Sequence, residues 1–185
     1  MPPFTEFAYI VLILLVAGER LVELLISRRN ADRAFQRGGV EYGQSHFTYM
    51  VALHTSFLFA APLEVLLLDR PFIPALALPM LAVLLFTMVL RYWVIHTLDG
   101  RWNTRVIVVP GLEAVTGGPF KYFRHPNYLA VVLELIALPL IHTAWTTALV
   151  YTALNAWMLK VRIGVEERAL KEHCSYAEQF PEVKS

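Results

Sequence analysis

One stretch of this chain concentrates side chains able to hold an anion: Gly117-Gly-Pro-Phe-Lys-Tyr-Phe-Arg-His-Pro-Asn-Tyr128. Proline suits the first turn of a helix, where its missing N–H costs nothing. Pro126 therefore predicts a helix start, with His125 as its N-cap. The free N–H groups of that first turn, with Arg124 beside them, make a site for a group such as a carboxylate. Gly117, Gly118 and Pro119 also fit a simple turn, and Arg124 also fits an anchor among lipid head groups.

A second polar stripe follows. Tyr151, Asn155, Arg162 and Glu166 recur at helical spacing and share one face, with Glu167 close by. Arg162 with Glu166 reads equally as an ordinary helix ion pair, but Asn155 sits inside an apolar run. Glu134 lies about 10 Å into its helix and shares a face with Asn127. An ionisable group so deep in an apolar segment is a functional candidate by default; the alternative is a carboxyl that ties two helices together. Arg91 is also deeper than an interfacial anchor, whereas an internal ion-pair network accounts for Glu19, Arg20 and Glu23. No metal motif joins His46 to His54, which read as core histidines, and the lone Cys174 reads as inert.

The elements that position these residues are apolar helices. The chain has 185 residues, 57% hydrophobic and 17% charged, with a mean hydropathy of +0.51. Soluble domains are about a quarter charged; a soluble globule of this length could not hide so much apolar surface. The fold class expected is an all-α integral membrane protein of about five transmembrane helices, near 4–26, 46–68, 72–98, 127–141 and 144–161. About 20 residues cross the bilayer core. The first three qualify; the last two are short and read as a hairpin. The first span lacks the preceding positive charge of a signal peptide and is expected to be retained.

Arg28, Arg29, Arg33 and Arg37 fall in the first loop; Arg101, Arg105, Lys121 and Arg124 in the third; Lys160, Arg162, Arg168, Lys171 and Lys184 near the tail. The opposite side has only Arg70. By the positive-inside rule these three segments face the cytoplasm and the amino terminus lies outside. Net charge of +1 provides no field for nucleic acid. The long third loop contains β-prone Arg105-Val-Ile-Val-Val109 before a Pro110-Gly111 turn, which predicts a short strand or hairpin. From Gly164 onward, Val165, Ala169, Tyr176 and Phe180 predict an amphipathic helix.

Leu90-Arg-Tyr-Trp93, Thr97-Leu-Asp-Gly-Arg-Trp102, Gly118-Pro119, Arg124-His-Pro-Asn-Tyr128 and Arg162-Ile-Gly-Val-Glu-Glu167 occur in that order. This set resembles the isoprenylcysteine carboxyl methyltransferase family, most clearly from residue 90 to about 180. Arg37-Gly-Gly-Val-Glu-Tyr-Gly43 and Val106-Ile-Val-Val-Pro-Gly111 are similar to a bacterial branch whose members resemble O-methyltransferases of alkylpyrones and phenolic lipids. The resemblance implies a single membrane domain over residues 1–185. It implies an S-adenosyl-L-methionine pocket built by the last hairpin, the loop before it and the tail, and a lipid-like acceptor entering from the bilayer. By matching position, Arg124, His125, Pro126, Tyr128, Glu166 and Glu167 would bind the cofactor, and Arg162 and Glu167 would be catalytic.

In such a site Arg162 would orient an anionic acceptor oxygen and Glu167 would hold Arg162. Glu134, Asn155, Arg91 and Trp93 would meet the substrate, with aromatic faces such as Tyr128 or Trp93 also able to contact a sulfonium or adenine. The expected location is a bacterial inner membrane with the site facing the cytoplasm, among membrane lipids and without nucleic acid or metal. Two alternatives are an NADPH-dependent membrane reductase of the sterol-reductase type, and a membrane subunit without enzymatic activity.

Overall fold

The structure, a computed structural model, describes residues 4–174. Five α-helices occur among them: α1 (Phe4–Gln36), α2 (Gln44–Leu67), α3 (Pro74–Leu98), α4 (Pro126–Leu140) and α5 (Trp145–His173). Two short strands, β1 (Val40–Tyr42) and β2 (Val106–Val108), and two 3-10 turns (Asp99–Arg101 and Gly118–Lys121) complete them.

The helices are apolar on the outside as well as within. Leu14, Leu25, Phe59, Leu67, Leu78, Val89, Leu149 and Trp157 are all exposed, a pattern that suits a hydrocarbon solvent. By length and composition α2 and α3 are able to cross a membrane. α4 is different. None of its residues is exposed, and it packs between α3 and α5 as the central helix. Its 15 residues rise only about 22 Å, short of a ~30 Å hydrocarbon core. Leu135, Leu138 and Ala137 of α4 form the core with Val16 of α1, Phe57 and Ala61 of α2 and Leu84 of α3.

Local chemistry sets the helix ends. Pro74 and Pro126 occupy first turns. α5 starts where Glu64 of α2 reaches across: its carboxylate accepts from the N–H groups of Thr146 (3.0 Å) and Thr147 (2.6 Å) and pairs with Arg70. Two free donors of a helix start are thereby satisfied by a buried side chain.

The structure adds to three sequence expectations. α1 continues past its apolar stretch of 4–26 to Gln36. Its added turns hold the third loop: Ser27 Oγ bonds Asn103 and Thr104, and Asn30 Nδ2 donates to the Trp102 carbonyl at 2.8 Å. The β-prone run forms a strand, but not a local hairpin. β2 pairs antiparallel with β1 from the first loop, Glu41 opposite Ile107. Val106 and Val108 point inward and are buried, and Arg105 meets Glu41 at 3.1 Å. The Pro110-Gly111 turn instead serves a helix end, because Gly111 N–H donates to the last carbonyl of α5, on His173, at 3.0 Å. Finally, the tail helix is no separate element. α5 continues through Gly164 to His173, with Ala169 buried; Tyr176, Phe180 and Lys184 lie outside the described residues.

Gly118 shows why glycine occupies its turn. Its φ is +56°, and an added Cβ would come within 2.9 Å of Thr97 Cγ2. A side chain there would push the 118–121 turn off α3.

Candidate active site

The start of α4 and the later turns of α5 meet at the end of the bundle that carries the strands. His125 is the N-cap of α4 as predicted, but its imidazole does not cap the helix. It turns to α5, where Nε2 lies 2.9 Å from Glu167 Oε1, and Arg124 Nε lies 3.7 Å from the same oxygen. The His125 and Tyr128 rings stack 5.4 Å apart. The Tyr128 hydroxyl donates to the Glu166 carboxylate and accepts from Arg162 Nε at 2.9 Å. One phenol thus bridges two residues that follow each other one turn apart on α5.

Arg162 is 5% exposed. Its Nη2 donates to the Thr104 carbonyl at 2.6 Å, and its Nη1 contacts Met50 Sδ at 3.5 Å. Here the geometry corrects an expectation: Arg162 is oriented by Tyr128 and Thr104, not by Glu167. Five positions along a helix turn a side chain well away from its starting face, so Glu167 serves Arg124 and His125 instead.

Two cavities adjoin this junction. The first, about 580 Å³, lies between the third loop, the strand pair and the starts and ends of α4 and α5. Arg124, His125, Pro126, Tyr128 and Glu166 all line it, while Glu167 backs His125 from behind. Arg33, Arg101, Arg105 and Arg124 make much of its wall cationic. Cys174 lies at its edge, where burial pushes the thiol up from its ordinary value.

The second cavity, about 180 Å³, runs into the helices and is mostly apolar. Glu134, Arg91 and Asn155 line it. Trp102, Asn127, Tyr128 and Arg162 line both cavities and form the partition between them.

Glu134 and Arg91 belong to a buried network spanning three helices. Arg91 Nη2 pairs with Glu134 and its Nε lies 3.4 Å from Glu23; Arg20 meets Glu23 at 2.6 Å, Glu19 at 3.0 Å and Glu134 at 3.5 Å. The helix-tying role weighed for Glu134 is therefore present, on the wall of a cavity.

Trp93 is not brought to the site. It lines neither cavity, is 43% exposed, and its ring lies 6.3 Å from Tyr122. Two positions beyond Arg91 on one helix, it points to the other side. Sequence reasoning missed Trp102, Thr104 and Met50 as wall or anchor residues. Thr104 acts through its backbone carbonyl, which carries no sequence signal at all.

Fold and cavities define a helical membrane protein whose polar end-cavity meets an apolar one inside the bundle. The chain belongs to the isoprenylcysteine carboxyl methyltransferase (ICMT) family, whose model matches residues 80–172. At the level of the family it is a membrane methyltransferase. The uncharacterized protein YpbQ of Bacillus subtilis (strain 168) is 36% identical over 162 residues, covering 88% of this chain and 96% of that protein. An uncharacterized protein of Haemophilus influenzae is 34% identical over 152 residues, covering 82% and 88%. No solved structure gives a significant match.

Proposed function

We propose that this chain is an S-adenosyl-L-methionine-dependent O-methyltransferase acting on a lipid-like acceptor at the cytoplasmic face of a bacterial inner membrane. The observation that carries the proposal is the partition at Arg162, Tyr128, Trp102 and Asn127, shared by a cationic cavity and an apolar one. A polar cofactor and a greasy acceptor need separate solvents and one point of contact.

The first cavity fits the cofactor in size and donor set. Binding cavities are commonly about 300–1,000 Å³. Arg124 and the Asn127 N–H at the start of α4 suit a carboxylate, and the Glu166 carboxylate suits an ammonium or ribose hydroxyls. Glu167 holds Arg124 and His125 in place. Trp102 and Tyr128 offer aromatic faces toward a sulfonium. When bound, S-adenosyl-L-methionine supplies a methyl group on a positively charged sulfur.

Arg162 is preorganised for the acceptor oxygen. Its guanidinium is fixed on Tyr128 and Thr104, and its position on the partition puts it beside both cavities. Holding two reactants in line at one point removes much of the entropic barrier. Asn155, Glu134 and Arg91 line the acceptor side. In this reading all five helices are embedded, with the amino terminus outside; the basic residues of the loops support that orientation.

The test is binding of labelled S-adenosyl-L-methionine to the purified protein in detergent, with NADPH as the control, followed by mass spectrometry of lipids from cells expressing it. Saturable binding of the first alone, and lipids that gain one CH₂, are expected. Binding of NADPH instead, or of neither, removes the proposal.

A further inference from the structure

The second cavity has an apolar wall interrupted by polar atoms with no partner. Trp102 Nε1, Asn127 Oδ1, both amide atoms of Asn155 and His54 Nε2 are buried and unbonded among the described residues. All four residues line this cavity. Leaving a buried polar atom unpaired is costly. Several around one cavity call for a polar group that completes them.

His54 is the one whose chemical state the geometry defines. Its Nδ1 lies 2.8 Å from the Met50 carbonyl oxygen. A carbonyl only accepts, so Nδ1 carries a proton and donates it. In the neutral imidazole the lone pair is then on Nε2, the atom left without a partner. Met50 is one turn before His54 and touches Arg162 at 3.5 Å. His54 and Arg162 thus border the same cavity, with Met50 between them.

We propose that His54 is a further catalytic residue, whose Nε2 accepts the proton of an acceptor hydroxyl as that oxygen is methylated. This rests on the methyltransferase reading above and names its substrate class: a neutral hydroxyl on an apolar tail, not a carboxylate, which has no proton to give. The O–H bond breaks and its proton goes to Nε2. The oxygen's electron pair forms the O–CH₃ bond. The S–CH₃ bond of a methylsulfonium breaks, and its pair stays on sulfur as a neutral thioether. One positive charge enters on sulfur and one leaves on imidazolium. Arg20 and Glu23 of α1, Arg91 of α3, Glu134 of α4 and Arg162 of α5 line the same cavity, so three guanidiniums and two carboxylates surround the imidazole.

The experiment uses the full chain in detergent with S-adenosyl-L-methionine and two probes of similar tail, 3-pentadecylphenol and palmitate. Wild type methylates the phenol. His54→Gln keeps a hydrogen-bonding amide but takes no proton. Its phenol turnover falls about 100-fold or more at neutral pH, cofactor affinity is unchanged, and the deficit shrinks where the phenol ionises unaided. A second readout needs no turnover and no variant: in wild type with nitrogen-labelled histidine, the phenol moves the His54 Nε2 resonance toward its hydrogen-bonded position. The assignment is overturned by undiminished turnover in His54→Gln, by an Nε2 resonance indifferent to the phenol, or by wild type that binds the cofactor and leaves the phenol unmethylated. Wild type that does not bind the cofactor defeats the methyltransferase reading itself.

Discussion

At Arg162, charge and geometry are separable. The side chain uses Nε on a phenol, one terminal nitrogen on a carbonyl and the other on a thioether. That is the planar fork of a guanidinium, which a lysine ammonium does not reproduce. Arg162→Lys keeps the positive charge on the partition and loses the fork. Its turnover is expected to fall by about two orders of magnitude, the scale of losing one oriented donor in an active site, with cofactor binding retained. Near-wild-type turnover at saturating cofactor would assign Arg162 to packing. Tyr128→Phe tests the neighbouring link, because the phenol is the atom that couples Arg162 to Glu166. Of the two hydrogen bonds lost, the one from Arg162 bears on turnover; such a bond to a charged group is worth about 1.5–3 kcal/mol, or roughly ten- to a hundredfold. An intact rate would show that Thr104 alone suffices to orient the arginine.

Among elements, α5 connects the two ends of the molecule. It starts on Glu64, runs past the partition, and ends against the Gly111 turn. Losing the Glu64 carboxylate leaves two helix-start donors and Arg70 without their acceptor. Capping losses are typically ~1 kcal/mol, and losing the ion pair of the part-exposed Arg70 adds little to that. Glu64→Ala should therefore lower the melting temperature in detergent, with Glu64→Gln intermediate, while the protein that remains folded keeps its cofactor affinity. Equal melting temperatures for wild type and Glu64→Ala would mean that the N-terminus of α5 is held by packing alone. The β1–β2 ladder acts at the other end, joining the first and third loops over the polar cavity.

For the whole molecule, orientation is the testable quantity. Lys121 lies in the 118–121 turn and is exposed, and the proposed topology puts it in the cytoplasm. A Lys121→Cys protein lacking Cys174 should resist an impermeant maleimide in intact spheroplasts and react in inverted vesicles. Reaction in the intact cells would reverse the topology and place the cofactor cavity outside its supply.

What the residue order determined by itself was local. Proline at a helix start, apolar runs, the i to i+4 stripe of Arg162 and Glu166, and the phase that puts Asn127 and Glu134 on one face all follow from helical geometry over a few residues. The Arg-His-Pro-Asn-Tyr and Glu-Glu segments were legible as a pair through resemblance. The tertiary structure alone decided which members touch. It assigned Glu167 to His125 and Arg124, gave Arg162 to Tyr128 and the Thr104 carbonyl, paired β2 with β1, and turned Trp93 away. Each of these is a contact between distant segments, set by how helices rotate and slide against one another. Backbone carbonyls and helix rotations leave no residue-type signature, so His54 reads as a core residue in one dimension and lies on a cavity wall in three.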